Sequence, residues 1–370
     1  MRFAGSPETR ERLFRLRCAA GLFLFFCLVF FLLRSPTETR RGVAFGVKLC
    51  LETLIPSMLP LLILADFFQH SALGAAASRL FEKPMRLLFG VSGAGAGALL
   101  FSVLGGFPAG AQSIFYASNQ QTISKREGQT LQLLCFCPSA AFTVGAVGGS
   151  MLGSVGAGLL LEVSVLLPLA VLSVPLRFYA KPSAVSPTKK VSAEPAAKAF
   201  TESVARGSRS MLLICAFVCF FSALPPVLGA FRLPEQVKVW AFALPELTGG
   251  IRSAVQSLSL PWIAGLLSFG GFCAHCQVLP VLQKLRLPYA LFLAFRLVHA
   301  GLSVLVCRLL CLLFPFEVAV FAEQRASFAP SAASSAAVSV CMVCMCAMLL
   351  LGSRTIVNFS KTKQTPAAQT

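Results

Sequence analysis

Charge is scarce in this sequence. Of its 370 residues 12% are charged and only 14 are acidic, whereas a soluble domain carries roughly 25% charged residues. A solvated globular surface is thereby excluded for most of the chain. Histidine is rarer still, with 3 residues, and they form no cluster in the sequence. No P-loop, nucleophile elbow, metal-ligand spacing or pair of catalytic carboxylates occurs, so no enzyme activity, cofactor or metal site is expected. Cys273 and Cys276 form a single C-x-x-C with no second pair beside it. The other cysteines, Cys341, Cys344 and Cys346 among them, sit mostly in apolar runs, where a thiol acts as a small hydrophobe.

Long apolar runs fill the space that charge leaves. Hydrophobic residues make up 56% of the chain and the mean hydropathy is +0.78. About eight to ten runs approach the roughly 20 residues that a hydrocarbon core of about 30 Å requires. They are continuously apolar and lack the in-out alternation of barrel strands. The expected fold is an all-α polytopic transmembrane helix bundle in a lipid bilayer, with broken or re-entrant helices and a two-half internal repeat. The formal charge of +18 comes from 32 Lys and Arg, scattered singly or in pairs with no aromatic-interleaved basic patch. No nucleic acid is expected, and the basic loops follow the positive-inside rule.

Residues 1–17 carry five arginines ahead of the run Cys18 to Leu33. No small-x-small cleavage signature precedes Arg34, so this reads as an uncleaved first helix with a cytoplasmic N-terminus. A first membrane half covers residues 18–180. Lys48 and Glu52 are spaced to pair, and Pro56 with Pro60, Gly105 to Pro108, and Pro138 predict helix breaks. Residues 181–201, with Pro182, Pro187, Pro195 and four lysines, suit a polar linker. A second half covers 202–353, with Trp240 to Leu258 interrupted by Pro245, and Ser331 to Leu351 as its last span. Residues 354–370 form a polar tail.

Each half contains one Gly-Gly-Phe inside a membrane-length run. Gly105-Gly106-Phe107-Pro108-Ala109-Gly110-Ala111-Gln112 shares Gly, Gly, Phe, Ala and Gln with Gly270-Gly271-Phe272-Cys273-Ala274-His275-Cys276-Gln277. Corresponding interruptions in two halves point to a substrate site of discontinuous helices at mid-membrane; the same glycines also serve close helix packing. Ionisable residues within the runs, Asp66, Glu162, Glu246, Arg252, His275, Arg296 and His299, need a partner or water. Glu246 lies in Leu244-Pro245-Glu246-Leu247-Thr248-Gly249-Gly250, where Pro and paired Gly open the backbone around a carboxylate and a hydroxyl. It can hold a cation, a proton or a ligand hydroxyl, or pair with Arg252 or Arg296. His275 can line the site or be satisfied by a neighbour. Arg296 and His299 can snorkel or line.

Several of these stretches occur in an order that resembles a known family. They are Gly105 to Ala111, Ser124 to Glu127, Phe142-Thr143-Val144-Gly145-Ala146-Val147-Gly148, Glu246-x-Thr248-x-Gly250, and Ser268 to His275 with Gln277. Together they resemble the YlbJ-type sporulation integral membrane proteins over roughly Val43 to Leu305. That resemblance implies the nucleoside-recognition or Gate domain, shared with spore maturation proteins A and B and similar to concentrative nucleoside transporters. It further implies a multi-pass protein of a sporulation membrane, with a part in forming the spore cortex or in maturation. The family's polar Asn and Ser before the Phe-x-x-Gly-Ala-Val stretch are replaced here by Cys137-Pro138-Ser139-Ala140-Ala141. The expected substrate-binding residues are Glu246, Thr248, Gly270, Gly271, His275 and Gln277, with Gly105, Gly106 and Pro108 from the first half. Two functions follow: a transporter or channel-like protein for a small polar solute, nucleoside-like or other, or a membrane scaffold that recruits cortex or maturation partners. Homo-oligomers and sporulation membrane partners fit both.

Overall fold

In hydrocarbon every backbone N–H and C=O must find its partner within the chain, and helices meet that demand locally. The computed structural model describes residues 7–180, 196–229 and 234–314, and no strand occurs among them. The chain begins with α1 (Pro7–Arg34), α2 (Pro36–Leu49), a π-helical stretch Cys50–Leu54 and α3 (Ile55–His70). Short α4 (Ala72–Leu80) and α5 (Glu82–Phe89) lead into α6 (Ala96–Asn119) and α7 (Lys125–Leu134). A second π-helical stretch, Ala141–Met151, then precedes α8 (Val155–Ala180). The second half contains α9 (Ala196–Ser222), α10 (Leu224–Gly229), α11 (Glu235–Ala243), α12 (Leu247–Ala254), α13 (Leu260–Phe269), α14 (Gly271–Leu285) and α15 (Tyr289–Leu313).

Among the described residues, six segments are long and apolar enough to cross a membrane: Pro36–His70, Gly93–Asn119, Val155–Ala180, Lys198–Gly229, Leu260–Leu285 and Tyr289–Leu313. The chain is a multi-pass integral membrane protein. The remaining apolar runs divide in three ways. Cys18–Arg34 is a shorter apolar stretch within α1. Trp240 to Leu258 is no span, because α11 and α12 fold back on each other about Pro245. Ser331 to Leu351, with Cys341, Cys344 and Cys346, lies outside the described residues, as do the 354–370 tail, residues 1–6 and most of the linker. The linker's end is helical, since α9 starts at Ala196.

Lipid-facing and inward-facing stripes separate along α8. Val155, Leu159, Val163, Leu167, Val171, Val174 and Phe178 are exposed, while Leu161, Glu162, Ser164, Val165 and Leu169 are buried. Recurrence every three to four residues puts each set on one side of the helix. Lipid tails are as apolar as the protein interior, so burial drives helix association weakly and close van der Waals contact has to supply it. Gly42 and Gly46 show this on α2. A Cβ at Gly42 would lie 2.3 Å from the Ser222 carbonyl oxygen, and one at Gly46 would lie 2.9 Å from Cys219 Cα, both on α9.

The proline pair in α3 does not break the helix. Pro56 falls in the first turn of α3, where its missing N–H costs nothing, and the irregularity moves upstream into the π-helical turn 50–54. Lys48 and Glu52 approach to 3.9 Å on the exposed side of this region. Ser124 and Glu127 build a reciprocal cap on α7: Glu127 N–H donates to Ser124 Oγ at 3.2 Å and Ser124 N–H donates to Glu127 Oε2 at 2.6 Å. The other oxygen, Oε1, accepts the Ser92 N–H at 2.7 Å, so this part of the family-like motif ties α7 to the entry of α6. Asp66 is buried and pairs with Arg206 at 2.8 Å, joining α3 to α9.

Candidate functional site

Both Gly-Gly-Phe motifs interrupt their helices, each with backbone geometry that L side chains avoid. In α6, Gly106 adopts φ 76° and ψ −167°, a region open essentially to glycine. Pro108 then falls in the first turn of the resumed helix, where no N–H is needed. Between α13 and α14, Gly270 (φ 89°) and Gly271 (φ 72°) both lie in the left-handed region, and Gly270 N–H donates to the Leu266 carbonyl at 2.9 Å to close α13.

Each break packs against an irregular segment from the same half. The non-helical stretch 135–139 after α7 lies beside Gly106, whose added Cβ would stand 3.1 Å from Ser139 N. In the second half, the first N–H groups of α14 reach the turn between α11 and α12. Phe272 N–H donates to the Leu244 carbonyl at 2.8 Å and Cys273 N–H to the Pro245 carbonyl at 2.9 Å. Helix ends that would be unsatisfied in the membrane thus satisfy each other. The order differs between halves: the partner segment follows the Gly-Gly-Phe in the first and precedes it in the second.

The halves meet where Phe107 and Phe136 cover Gly270. Their ring centroids are 4.6 Å apart, and a Cβ on Gly270 would lie 2.5 Å from Phe136 and 3.2 Å from Phe107. Beside this contact lies a cavity of about 550 Å³, counted with its open mouth. Its walls are largely apolar, with Met58, Phe107, Phe142, Ile214 and Val218 prominent, and its polar groups are Ser57, Ser139, Glu246, Thr248 and Gln277.

Six of the nine residues expected from sequence line this one cavity: Gly106, Pro108, Glu246, Thr248, Gly270 and Gln277. Glu246 caps α12, accepting from Thr248 N–H at 2.8 Å and Gly249 N–H at 2.6 Å. Burial raises the carboxyl's pKa above its usual range, opposed by the positive end of the helix dipole and by these donors, which favour the anion. They engage one lone pair on each oxygen and leave acceptor positions for a ligand donor. Neither proposed arginine pairs with it. Arg252 is exposed, and Arg296 is engaged elsewhere. Gln277 makes a weak contact, Nε2 to Cys273 Sγ at 3.4 Å, which leaves its amide available to the cavity.

Gly105, Gly271 and His275 do not line it. His275 turns behind Gly270 into an aromatic enclosure, with Phe136, Phe269 and Phe292 at ring-centroid distances of 5.3, 4.7 and 5.2 Å. Its Nε2–H donates to the Phe269 carbonyl at 2.9 Å, and Nδ1 pairs with the Tyr289 hydroxyl at 3.1 Å. Both nitrogens are satisfied by neighbours, the second of the two roles the sequence allowed for His275. Arg296 and His299 neither snorkel nor line the cavity, since both are fully buried. Arg296 donates to the carbonyls of Leu133 and Phe136, at the carbonyl-rich C-terminal end of α7. It stacks near Phe295, Phe136 and Phe292 at 4.8, 5.2 and 5.6 Å, where ring faces favour a cation. His299 Nε2–H donates to the Val165 carbonyl at 2.9 Å and turns Nδ1 toward Arg296 at 3.4 Å.

Ser57, Ser139 and Phe142 belong to the cavity without having been singled out. Phe142 opens one of the stretches that carried the resemblance, whereas Ser139 falls in the stretch that departs from the family pattern. Ser57 follows a proline in a continuous apolar run and carries no signal. The chain is 22% identical over 325 residues to the sporulation integral membrane protein YlbJ of Bacillus subtilis (strain 168), a match that covers 76% of this chain and 79% of that protein. This bears out the resemblance read from the motifs. No family model and no solved structure matches the chain.

Proposed function

Taking the chain as a distant relative of the YlbJ-type sporulation integral membrane proteins, we propose that it serves sporulation as a transporter or channel-like protein for a small polar solute, with the cavity between the two breaks as its solute site. The observation that carries this reading is the convergence of both broken helices and the Glu246 cap on one cavity. Helix ends opened at mid-membrane offer backbone polarity without side-chain charge, the design of many transporter sites. The cavity's chemistry favours a solute with a flat apolar face and several hydrogen-bond donors, a description that nucleosides meet. Glu246 and Gln277 are assigned its polar recognition, and catalysis is not part of the role.

The test is flux in proteoliposomes containing the purified full chain, with radiolabelled nucleosides and other small polar solutes as probes. Saturable uptake is expected, and Glu246→Gln should reduce it at least about tenfold, the equivalent of about 1.4 kcal/mol in binding. Uptake that is absent, or unaltered by Glu246→Gln, rejects the cavity as a transport site. Absent flux together with cross-links to cortex-building proteins in sporulating cells would support the scaffold instead.

A further inference from the structure

Four carboxylates are buried among the described residues, and the chain provides partners for three: Asp66 pairs with Arg206, Glu127 caps α7 and Glu246 caps α12. Glu246 has its two backbone donors, whereas Glu162 on α8 is 8% exposed and neither of its carboxylate oxygens has a hydrogen-bond partner among the described residues. Thr143, on the π-helical stretch 141–151, bears on this carboxyl and is itself fully buried with its hydroxyl unpartnered. A helical threonine ordinarily bonds back to a carbonyl one turn earlier; this one does not. The two helices are pressed together at Gly148 and Gly158, where a Cβ on Gly148 would come within 2.4 Å of Gly158 Cα. No neighbouring side chain can enter there to supply a counter-charge.

Among the described residues, no cation faces Glu162 from the other elements packed on α8 either. Cys137, after α7, is a neutral thiol near enough to feel the Glu162 carboxyl. From α15, His299 is committed to Val165 and Arg296 to the α7 carbonyls, while Cys307 sits beside Ser164. Helix α13 carries no titratable residue. Contacts of α5 and α7 with α8 include Gly90 against Arg177 and Gln129 against Tyr179, about 25 Å along the helix from Glu162 at 1.5 Å per residue. An ionised carboxylate here would be buried with no counter-ion and with the Thr143 hydroxyl as its one donor at hand, an arrangement that proteins avoid. The neutral acid fits, because its O–H can donate to the Thr143 hydroxyl and its carbonyl oxygen can accept in return.

We propose that Glu162 is a proton-binding site: its carboxyl holds the proton in the conformation described and releases it to water when the segment 137–143 moves away from α8. Release leaves the carboxylate and one hydronium ion, and rebinding reverses it with no electron transferred. The same segment walls the cavity, since Pro138, Ser139 and Phe142 line it while Cys137 and Thr143 lie behind. A ligand in the cavity and a proton on Glu162 would therefore bias one element from opposite sides, the condition for coupling. This coupling rests on the proposed solute site; the proton site does not.

Infrared spectroscopy of the full chain in lipid vesicles tests the site directly. At neutral pH a carbonyl-stretch band of a protonated, weakly solvated carboxyl is expected. It should vanish in Glu162→Gln, persist in Glu246→Gln and fade on titration to alkaline pH. Thr143→Val should shift the band to higher frequency by removing its hydrogen bond. Spectra of the wild type and Glu162→Gln that superimpose, or loss of an ionised-carboxylate band in their place, overturn the proposal. Should Glu162→Gln fail to fold, a band unmoved by Thr143→Val overturns it instead. Absent solute flux with the band present would reject the transport reading and leave the proton site standing.

Discussion

The two Gly-Gly-Phe breaks share five residues of eight, yet the chain closes them by different means. The second break is fastened by hydrogen bonds behind the cavity that Gly270 lines. Its glycines are left-handed, its new helix end donates to the Leu244 and Pro245 carbonyls, and His275 is bonded at both nitrogens behind it. The first break has a single unusual residue, Gly106, and lies against Ser139 and the open stretch 135–139. Where the second half uses a hydrogen-bonded crossing, the first relies on packing and on Arg296 reaching across to the Leu133 and Phe136 carbonyls. One break is thus a fixed wall. The other is the more readily displaced, and it borders the cavity through Gly106, Pro138 and Ser139.

The largest expected effect is at the fixed wall. Gly270→Ala would impose a left-handed backbone on a residue with a Cβ and press that Cβ to 2.5 Å from the Phe136 ring. Backbone strain of about 2 kcal/mol and overpacking of about 2 kcal/mol should together lower stability by about 4 kcal/mol, read from chemical denaturation in detergent. Arg296→Lys attacks the joint between the breaks. One ammonium cannot span two carbonyls and stack on the rings as a planar guanidinium does, and an unsatisfied buried carbonyl costs about 1–3 kcal/mol. A loss of about 3 kcal/mol is expected in the same assay. Gly106→Ala should cost less, about 2 kcal/mol, from its backbone conformation, because its Cβ would meet Ser139 N at a tight but adjustable 3.1 Å. If Gly106→Ala proves costlier than Gly270→Ala, the ranking of rigid and yielding breaks is reversed.

Local chemistry made the breaks legible in the sequence. Gly-Gly-Phe-Pro, Cys-Pro-Ser and Leu-Pro-Glu each remove a donor or require a conformation that an α-helix does not supply, and all three interrupt helices here. Glu246 was readable for the same reason, as an acid placed where a helix restarts. What a side chain meets across the bundle was not legible. Arg296 and His299 are three apart on an apolar helix, a pattern identical for a snorkelling pair and a buried cage. The distinction lies in Leu133, Phe136 and Val165, more than 130 positions earlier in the chain. The π-helical stretches had no sequence signal either, since an extra residue per turn is accommodated by neighbours such as Gly158 rather than demanded by Ala141–Met151 alone.

The smallest effects separate wall from cavity most cleanly. His275 and Gln277 lie two residues apart on α14, and the same motif nominated both, but the helix turns them to different surroundings. His275 holds the Phe269 carbonyl and the Tyr289 hydroxyl. Replacement by Gln should lower stability by about 1–2 kcal/mol, the cost of imperfectly replaced buried bonds, and leave flux through the folded fraction at the wild-type level. Gln277 lines the cavity and holds only Cys273 Sγ. Gln277→Ala should alter stability by no more than about 0.5 kcal/mol while reducing solute flux several-fold. Denaturation and proteoliposome uptake measured on both variants would therefore move in opposite columns. Parallel losses in both assays would mean that the second break is a single unit, with His275 as much a part of the site as Gln277.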